Sequence, residues 1–253
     1  MIARLDPHHA STDARYLRFL KALKDTGFEG EIAPRLAERT VLATDNSIYQ
    51  RLPQAVLYPL DADDLERLAR LAGHAEFRDI VLTPRGGGTG TNGQSLTDGL
   101  VVDVSRHMNA ILDIDVDNRR VRVQAGVVKD QLNAALKPHG LFFAPELSTS
   151  NRATIGGMIA TDASGQGSCE YGKTRDHVLE LDSVLLGGER LYSRPVTEDE
   201  LDNLCARRDR VGRVYRRARR IIDSERERIA AIFPPLNRCL TGYDLAHLRT
   251  ADG

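Results

Sequence analysis

Apolar and polar positions follow two rhythms along the chain, one helical and one alternating. In "STDARYLRFLKALKD" (residues 11–25), Leu17, Leu20 and Leu23 recur at helical spacing behind a Ser/Thr cap signal, which predicts an amphipathic helix. A polar approach segment follows, through "ERTVLATDNSIYQRLP". "AVLYP" then reads as a short buried strand, and "DADDLERLARLAGH" as a capped helix with Leu65, Leu68 and Leu71 inward. "DIVLTP" is the next strand, so this stretch is a β-α-β unit ending in the loop "TPRGGGTGTNG" (Thr83 to Gly93). Three further strands, "GLVVDVS", "AILDIDVD" and "RRVRVQAG", come in close succession, the last two joined through Asp117-Asn118. "VVKDQLNAALKPHG" is a short helix stopped by Pro138 and Gly140, and "HVLELDSVLL" is a strand ending at a Gly187-Gly188 turn. From Val196, "VTEDELDNLCARRDRVGRVYRRARRIIDSERERIAAIF" reads as continuous helix up to Pro234-Pro235. The order of elements predicts a mixed α+β domain over residues 51–195, with a helical arm over 1–50 and a helical segment over 196–253.

Composition narrows the function classes. Of 253 residues, 41% are hydrophobic and 28% charged, the balance of a globular protein. A net charge of −1 offers no global field for nucleic acid, and 5% aromatic content without Trp argues against a base-stacking surface. Ten arginines lie between Arg207 and Arg228, but Asp223, Glu225 and Glu227 interleave with them, so a solvated or docking face is the preferred reading. No run of eighteen apolar residues exists to form a membrane span, and the first twenty residues lack the apolar core of a signal peptide. A cytoplasmic place is expected, with a peripheral position on the inner face of the membrane as the alternative. Cys169, Cys205 and Cys239 lie far apart, and the seven histidines show no metal-ligand spacing, so no metal site is predicted in this chain.

The glycine loop carries the first candidate chemistry. A P-loop would need a Lys-Ser/Thr pair after the last glycine, and Thr91-Asn92 stand there instead. "GTGTNG" matches the dinucleotide fingerprint GxGxxG, yet a strand and not a helix follows it. The residues favour an anion-binding nest, with a flexible linker as the alternative. Gly86, Gly87, Gly88 and Gly90 allow close backbone approach, Arg85 adds charge, and Thr89 and Thr91 add hydroxyls. A second small-residue stretch, "PELSTSNRATIGGMIATDASGQGSCEYG", runs from Pro145 to Gly172. Gly156-Gly157 leaves bare backbone where a flat ring could lie, and Ser148, Thr149, Thr154, Ser164 and Gly165 offer polar contacts of small volume.

Taken in order and spacing, "PRGGGTGTNG", "APELSTSNRATIGGMIATDASG" and "YGKTRDHVLELDSVLLGGE" resemble the FAD-linked oxidases of the p-cresol methylhydroxylase and vanillyl-alcohol oxidase type. "LTGYDLAHL" resembles the "TGYDL" segment of the D-lactate, glycolate and D-2-hydroxyglutarate dehydrogenase branch. The long N-terminal arm resembles that of large bacterial members with a C-terminal iron–sulfur region. The resemblance implies a two-lobed FAD domain with N- and C-terminal helical extensions. Arg85 to Thr91 would cradle the pyrophosphate, and Thr149, Thr154, Gly156 and Gly157 would line the flavin and ribityl chain. Gly172 and Val178 would lie toward the adenosine. Thr89 stands where some relatives attach FAD through a histidine, so non-covalent FAD is implied.

The implied reaction is oxidation of a D-2-hydroxy acid, of the D-lactate or D-2-hydroxyglutarate type, by hydride transfer to flavin N5. The family's "GSEGT" segment should follow "TGYDL", but the sequence ends at "RTADG". The metal ligands, the iron–sulfur region and the substrate-binding basic residues are therefore expected outside this chain, with the cap domain only begun. No catalytic residue and no electron acceptor is assigned. The alternative function is a truncated, non-catalytic flavin- or nucleotide-binding module.

Overall fold

The computed structural model describes residues 11–233 and 244–249. Within these the chain forms two compact units, Met1–Arg175 with Leu186–Gly188, and Asp176–Leu185 with Glu189–Gly253.

The first unit is built on a four-stranded sheet. Its strands are β1 (Glu31–Ala33), β2 (Ala55–Tyr58), β3 (Leu82–Arg85) and β4 (Leu100–Asp103), in the order β1-β2-β4-β3. β2, β4 and β3 run parallel and β1 pairs antiparallel to β2. Every residue of β2 and β4 is buried, as expected of parallel strands covered on both faces. β3 lies at the edge, which is why it accommodates Pro84, a residue without an N–H to donate.

Two helices cover this sheet. α1 (Ala14–Asp25) is capped by Asp13, whose carboxylate accepts from the Arg15 amide at 2.7 Å. Its inner stripe is Tyr16, Phe19, Leu20 and Leu23; Leu17, predicted to be inward, lies one residue off the stripe and is 50% exposed. α2 (Leu36–Val41) and β1 occupy stretches that the pattern leaves as a polar approach, because both are too short to show a period. α3 (Ala62–Ala72) buries Leu68 and Leu71 as predicted, with Leu65 partly buried against the same core. Phe19 meets Phe77 edge-to-face at 5.2 Å between ring centroids, in a cluster shared with Leu57, Leu68 and Leu100. The N-terminal helix is thus part of the sheet's own core.

A second core in the same unit lies around β5 (Ile111–Asp115), β6 (Arg120–Val123), α4 (Lys129–Leu136) and α5 (Ile155–Ala160), with Val127, Leu132, Leu136, Ile155 and Met158 buried in it. The hairpin β5–β6 turns where Asp117-Asn118 predicts, with Asp115 accepting from the Asn118 amide at 3.0 Å. A short helix, α6 (Ser168–Tyr171), follows α5. No helix opens after Gly93: irregular chain leads directly into β4, so the fingerprint match of "GTGTNG" has no Rossmann context.

In the second unit, β7 (Leu181–Val184) pairs antiparallel with β8 (Arg190–Ser193). The predicted continuous helix is instead three: α7 (Glu198–Ala206), α8 (Arg210–Ser224) and α9 (Arg226–Ile232). The first break has a local cause. Arg207 leaves helical geometry with φ −60° and ψ 141°, and Asp209 re-caps the chain by accepting from the Gly212 amide at 2.9 Å. Thr241 to Tyr243 of the "TGYDL" segment lie outside the described residues. Among the described residues no helix is long and apolar enough to cross a membrane.

Two outcomes follow. Phe19→Ala should lower stability by about 3–5 kcal/mol, as expected for loss of a buried Phe, in a chemical-denaturation curve of the first unit. At the N-terminus of α7, Glu200 closes a capping box with Thr197 and pairs with Arg194. Arg194 first, then the Thr197 amide, hold the Glu200 carboxyl down to about 2 from 4.5. A depressed pKa means that the contribution is present above the ordinary value and is lost as pH falls through the depressed one. A carboxyl NMR titration should therefore show Glu200 still ionised at pH 3, and a midpoint near 4.5 would contradict the cap.

Candidate functional site

The glycine loop hangs from the C-terminal end of β3, and Arg85, predicted to be its first cationic contact, is the last residue of the strand. Its side chain is buried at 7% exposure and turns toward the segment before β2. There Nη1 donates to the Leu42 carbonyl at 3.3 Å and Nη2 to the Thr44 carbonyl at 2.8 Å. Burial pulls the guanidinium below its ordinary pKa, and the carboxylates of Asp103 and Asp45 offset part of that.

Beyond Arg85, the glycines are required by their neighbours. A Cβ on Gly86 would run into Thr154 Oγ1, and one on Gly87 into the Arg152 carbonyl. Gly88 has φ +64°, and a Cβ there would lie 2.6 Å from Arg85 Nη2. The two small-residue stretches, about sixty residues apart in sequence, are therefore packed backbone to backbone in one unit. Among the described residues, the amides of Gly86 to Thr91 donate to no protein group, and the hydroxyls of Thr89 and Thr91 have no protein partner. Such a row of unpaired donors on glycine backbone suits an anion.

The second stretch divides into packing and open positions. The Gly156 amide donates to the Ala125 carbonyl at 2.8 Å, and a Cβ on Gly156 would press on Ala125. That glycine serves close packing of α5 on the chain before α4. Gly157 is the open one: it is exposed, and its nearest neighbour for a Cβ is Thr154 Oγ1 at 3.1 Å. Thr154 caps α5, its hydroxyl accepting from the Gly157 amide at 3.3 Å. Among the described residues the hydroxyls of Ser148, Thr149 and Ser164 bond no protein group.

Farther along, Pro145 is buried, Gly165 packs on the Glu146 carbonyl, and Gly172 takes φ +77°. Val178 belongs to the second unit.

Sequence reasoning missed the residues that hold this region in shape. Asp162, at φ +44°, accepts from buried Lys173 Nζ at 3.2 Å and from the Arg175 amide at 3.1 Å. That closes the segment carrying Ser164, Gly165 and Gly172 into a ring. Asp45 and Ser95 similarly join across 50 residues, Ser95 Oγ donating to Asp45 Oδ2 at 3.0 Å. Neither pair has a periodic or local signal.

The cradle fits a dinucleotide's diphosphate: donors without acceptors, glycine backbone, and no carboxylate among Gly86 to Thr91. Gly87→Ala should separate the two stretches and weaken FAD binding about tenfold or more in a flavin-fluorescence titration. An unchanged affinity would show that the loop does not need this contact.

Comparisons with known proteins bear directly on this geometry. The chain is 68% identical over all 253 of its residues to a D-2-hydroxyglutarate dehydrogenase of Pseudomonas putida, covering 25% of that protein. It is 53% identical over 232 residues to the Escherichia coli D-2-hydroxyglutarate dehydrogenase, covering 92% of this chain and 23% of the relative. The chain thus spans about a quarter of the length of these relatives. Among solved structures, an alkyldihydroxyacetonephosphate synthase superposes on 78% of this chain and 38% of its own, with TM-score 0.63 and 21% identity. The 6-hydroxy-D-nicotine oxidase of Arthrobacter nicotinovorans covers 70% of this chain and 38% of its own, with TM-score 0.60 and 24% identity. These two show that the α+β fold is shared. The FAD binding domain model matches residues 53–192, more than half of the chain and the whole of both small-residue stretches, and the chain belongs to that FAD-binding family.

Proposed function

We propose that this chain is the FAD-binding part of a flavin-dependent dehydrogenase that oxidises a D-2-hydroxy acid, D-2-hydroxyglutarate foremost, to the 2-oxo acid. The observation that carries the reading is the row of unpaired amides from Gly86 to Thr91, packed against Arg152 to Thr154. D-2-hydroxyglutarate dehydrogenases match 92–100% of the chain, against 62–66% for D-lactate dehydrogenases, which favours the former acid.

In this reading the FAD-binding domain spans residues 51–195. The amides of Gly86 to Thr91 and the hydroxyls of Thr89 and Thr91 hold the diphosphate. Pro145, Ser148, Thr149, Thr154 and Gly157 line the ribityl and ring portion, while Gly156 sets the position of α5 by its contact with Ala125. Ser164, Gly165 and Gly172 continue the lining, and Val178 contributes toward the adenosine. Thr89 carries no ring nitrogen with which to attach the flavin, so binding is non-covalent. When bound, FAD supplies the two-electron acceptor for the alcohol's oxidation. The residues of this chain bind and orient it and keep its diphosphate out of water. No acid–base role toward the substrate is assigned to them.

The purified chain should be yellow with the two-banded flavin spectrum, and denaturation should release all of the FAD. A colourless protein that takes up no added FAD would overturn the reading. Dye reduction with D-2-hydroxyglutarate is expected to need the remaining sequence of the longer relatives. Turnover by the 253-residue chain alone would contradict that expectation.

A further inference from the structure

The hairpin just before β2, outside the matched residues 53–192, is stapled to the glycine loop along its length. It is closed by an antiparallel bridge between Thr44 and Gln50 and by the Arg51 amide donating to the Ala43 carbonyl at 2.9 Å. Its tip is internally braced, Asp45 accepting from the Ser47 amide at 2.8 Å and Ser47 Oγ from the Tyr49 amide at 3.1 Å. Five contacts then cross to the loop. Arg85 reaches the Leu42 and Thr44 carbonyls, and the Asn46 amide donates to the Gly88 carbonyl at 3.0 Å. Ser95 donates to Asp45, and the Tyr49 ring lies where a side chain on Gly93 would fall.

We propose that residues 42–49 are a positioning element of the cofactor site, and that Arg85 acts through them to shape the diphosphate nest and not as a phosphate ligand. The peptide plane supplies the reason. The Gly88 carbonyl and the Thr89 N–H share one trans peptide and point in opposite directions. Holding that carbonyl on Asn46 aims the Thr89 amide away from the hairpin, to the side where the proposed nest would take an anion. Arg152 does the same one peptide earlier, Nη2 donating to the Gly87 carbonyl at 3.4 Å and setting the Gly88 amide.

Arg85 is suited to the task by its planar fork. One guanidinium spans two carbonyls two residues apart and forms the floor beneath Gly88. A lysine carries the same charge but cannot span both carbonyls at fixed angles. The carboxylate of Asp45 completes the unit. Burial works against its charge, but the hydrogen bonds from Ser47 and Ser95 and the charge of Arg85 hold its pKa below the ordinary value.

The proposal rests on the reading of Gly86 to Thr91 as the diphosphate nest, and FAD titration of the whole chain separates the two. Arg85→Lys and Arg85→Met should weaken FAD to a similar degree, about tenfold or more, and Asp45→Ala severalfold. The salt dependence of binding should stay that of the wild type, because no phosphate-binding charge is removed. Arg85→Lys binding as tightly as wild type, or Arg85→Met flattening the salt dependence, would show a direct charge role and overturn the proposal. If the Arg85 variants do not fold, Asp45→Ala decides: weaker FAD with an unchanged melting temperature of the FAD-free protein supports the proposal, and unchanged affinity overturns it. A wild-type chain that takes up no FAD overturns the nest itself, whereas a wild type that binds alongside unaffected variants overturns only the positioning role.

Discussion

Close backbone contact between two stretches remote in sequence is the constraint on which the first unit depends. At Gly86 and Gly87 there is no room for even a methyl group, because Thr154 and the Arg152 carbonyl occupy the space. One side of that contact belongs to the sheet with α1 and α3, the other to the core of α4, α5 and the β5–β6 hairpin. The contact therefore joins two separately packed cores through bare main chain. Glycine is costly for a loop in conformational entropy. Here the cost is offset because the same residues let the cores meet and leave a row of amides free of intramolecular acceptors.

What could be read from the sequence was whatever has a short period or a local signal. The buried strands β2 and β4, the inward Leu68 and Leu71, and the Asp117-Asn118 turn all have one. So did the distinction between a nest and a Rossmann loop, since the absence of a helix after Gly93 is a statement about neighbouring residues. Arg85 could be picked out but its role could not. Its partners Leu42 and Thr44 lie 43 and 41 residues away, and nothing in "ERTVLATDNSIYQRLP" marks their carbonyls as acceptors. The contact of Gly156 with Ala125 was hidden for a similar reason: a bare residue beside a ring is indistinguishable, in sequence, from a bare residue pressed on a neighbouring segment. The break between α7 and α8 was hidden because charged residues suit an exposed helix interior and a cap alike, and Asp209 is the second.

Backbone donors and buried cations have different tasks in the first unit. A diphosphate is recognised by backbone and hydroxyl donors, and those are here in one unit. Among the described residues, three of the first unit's four buried cations bond the protein itself, Arg39 with the Pro53 carbonyl, Arg85 with Leu42 and Thr44, and Lys173 with Asp162; the fourth is Lys129. Those three guanidinium and ammonium groups thus serve the shape of the unit around the glycine loop.

The direction of the strands explains why the polar apparatus gathers where it does. β2, β3 and β4 are parallel, so their C-terminal ends lie along one edge of the sheet, the edge at which open α/β sheets bind ligands. Tyr58, Arg85 and Asp103 are the residues at those ends. β1 runs the other way, so its first residue, Glu31, comes into register with Tyr58. Glu31 in turn pairs with Arg106 at 2.7 Å, and the Arg106 guanidinium lies 3.9 Å from the centre of the Tyr58 ring. A single antiparallel strand thus adds a carboxylate to an edge that three parallel strands had already supplied with a cation, a carboxylate and a phenol. Reversing β1 would leave Arg106 and His107 without Glu31, and the loop after β4 would lose its anchor to the sheet. The mixed direction of this small sheet is therefore part of how the glycine loop's surroundings are held, and the fold and the cofactor cradle are specified by the same residues.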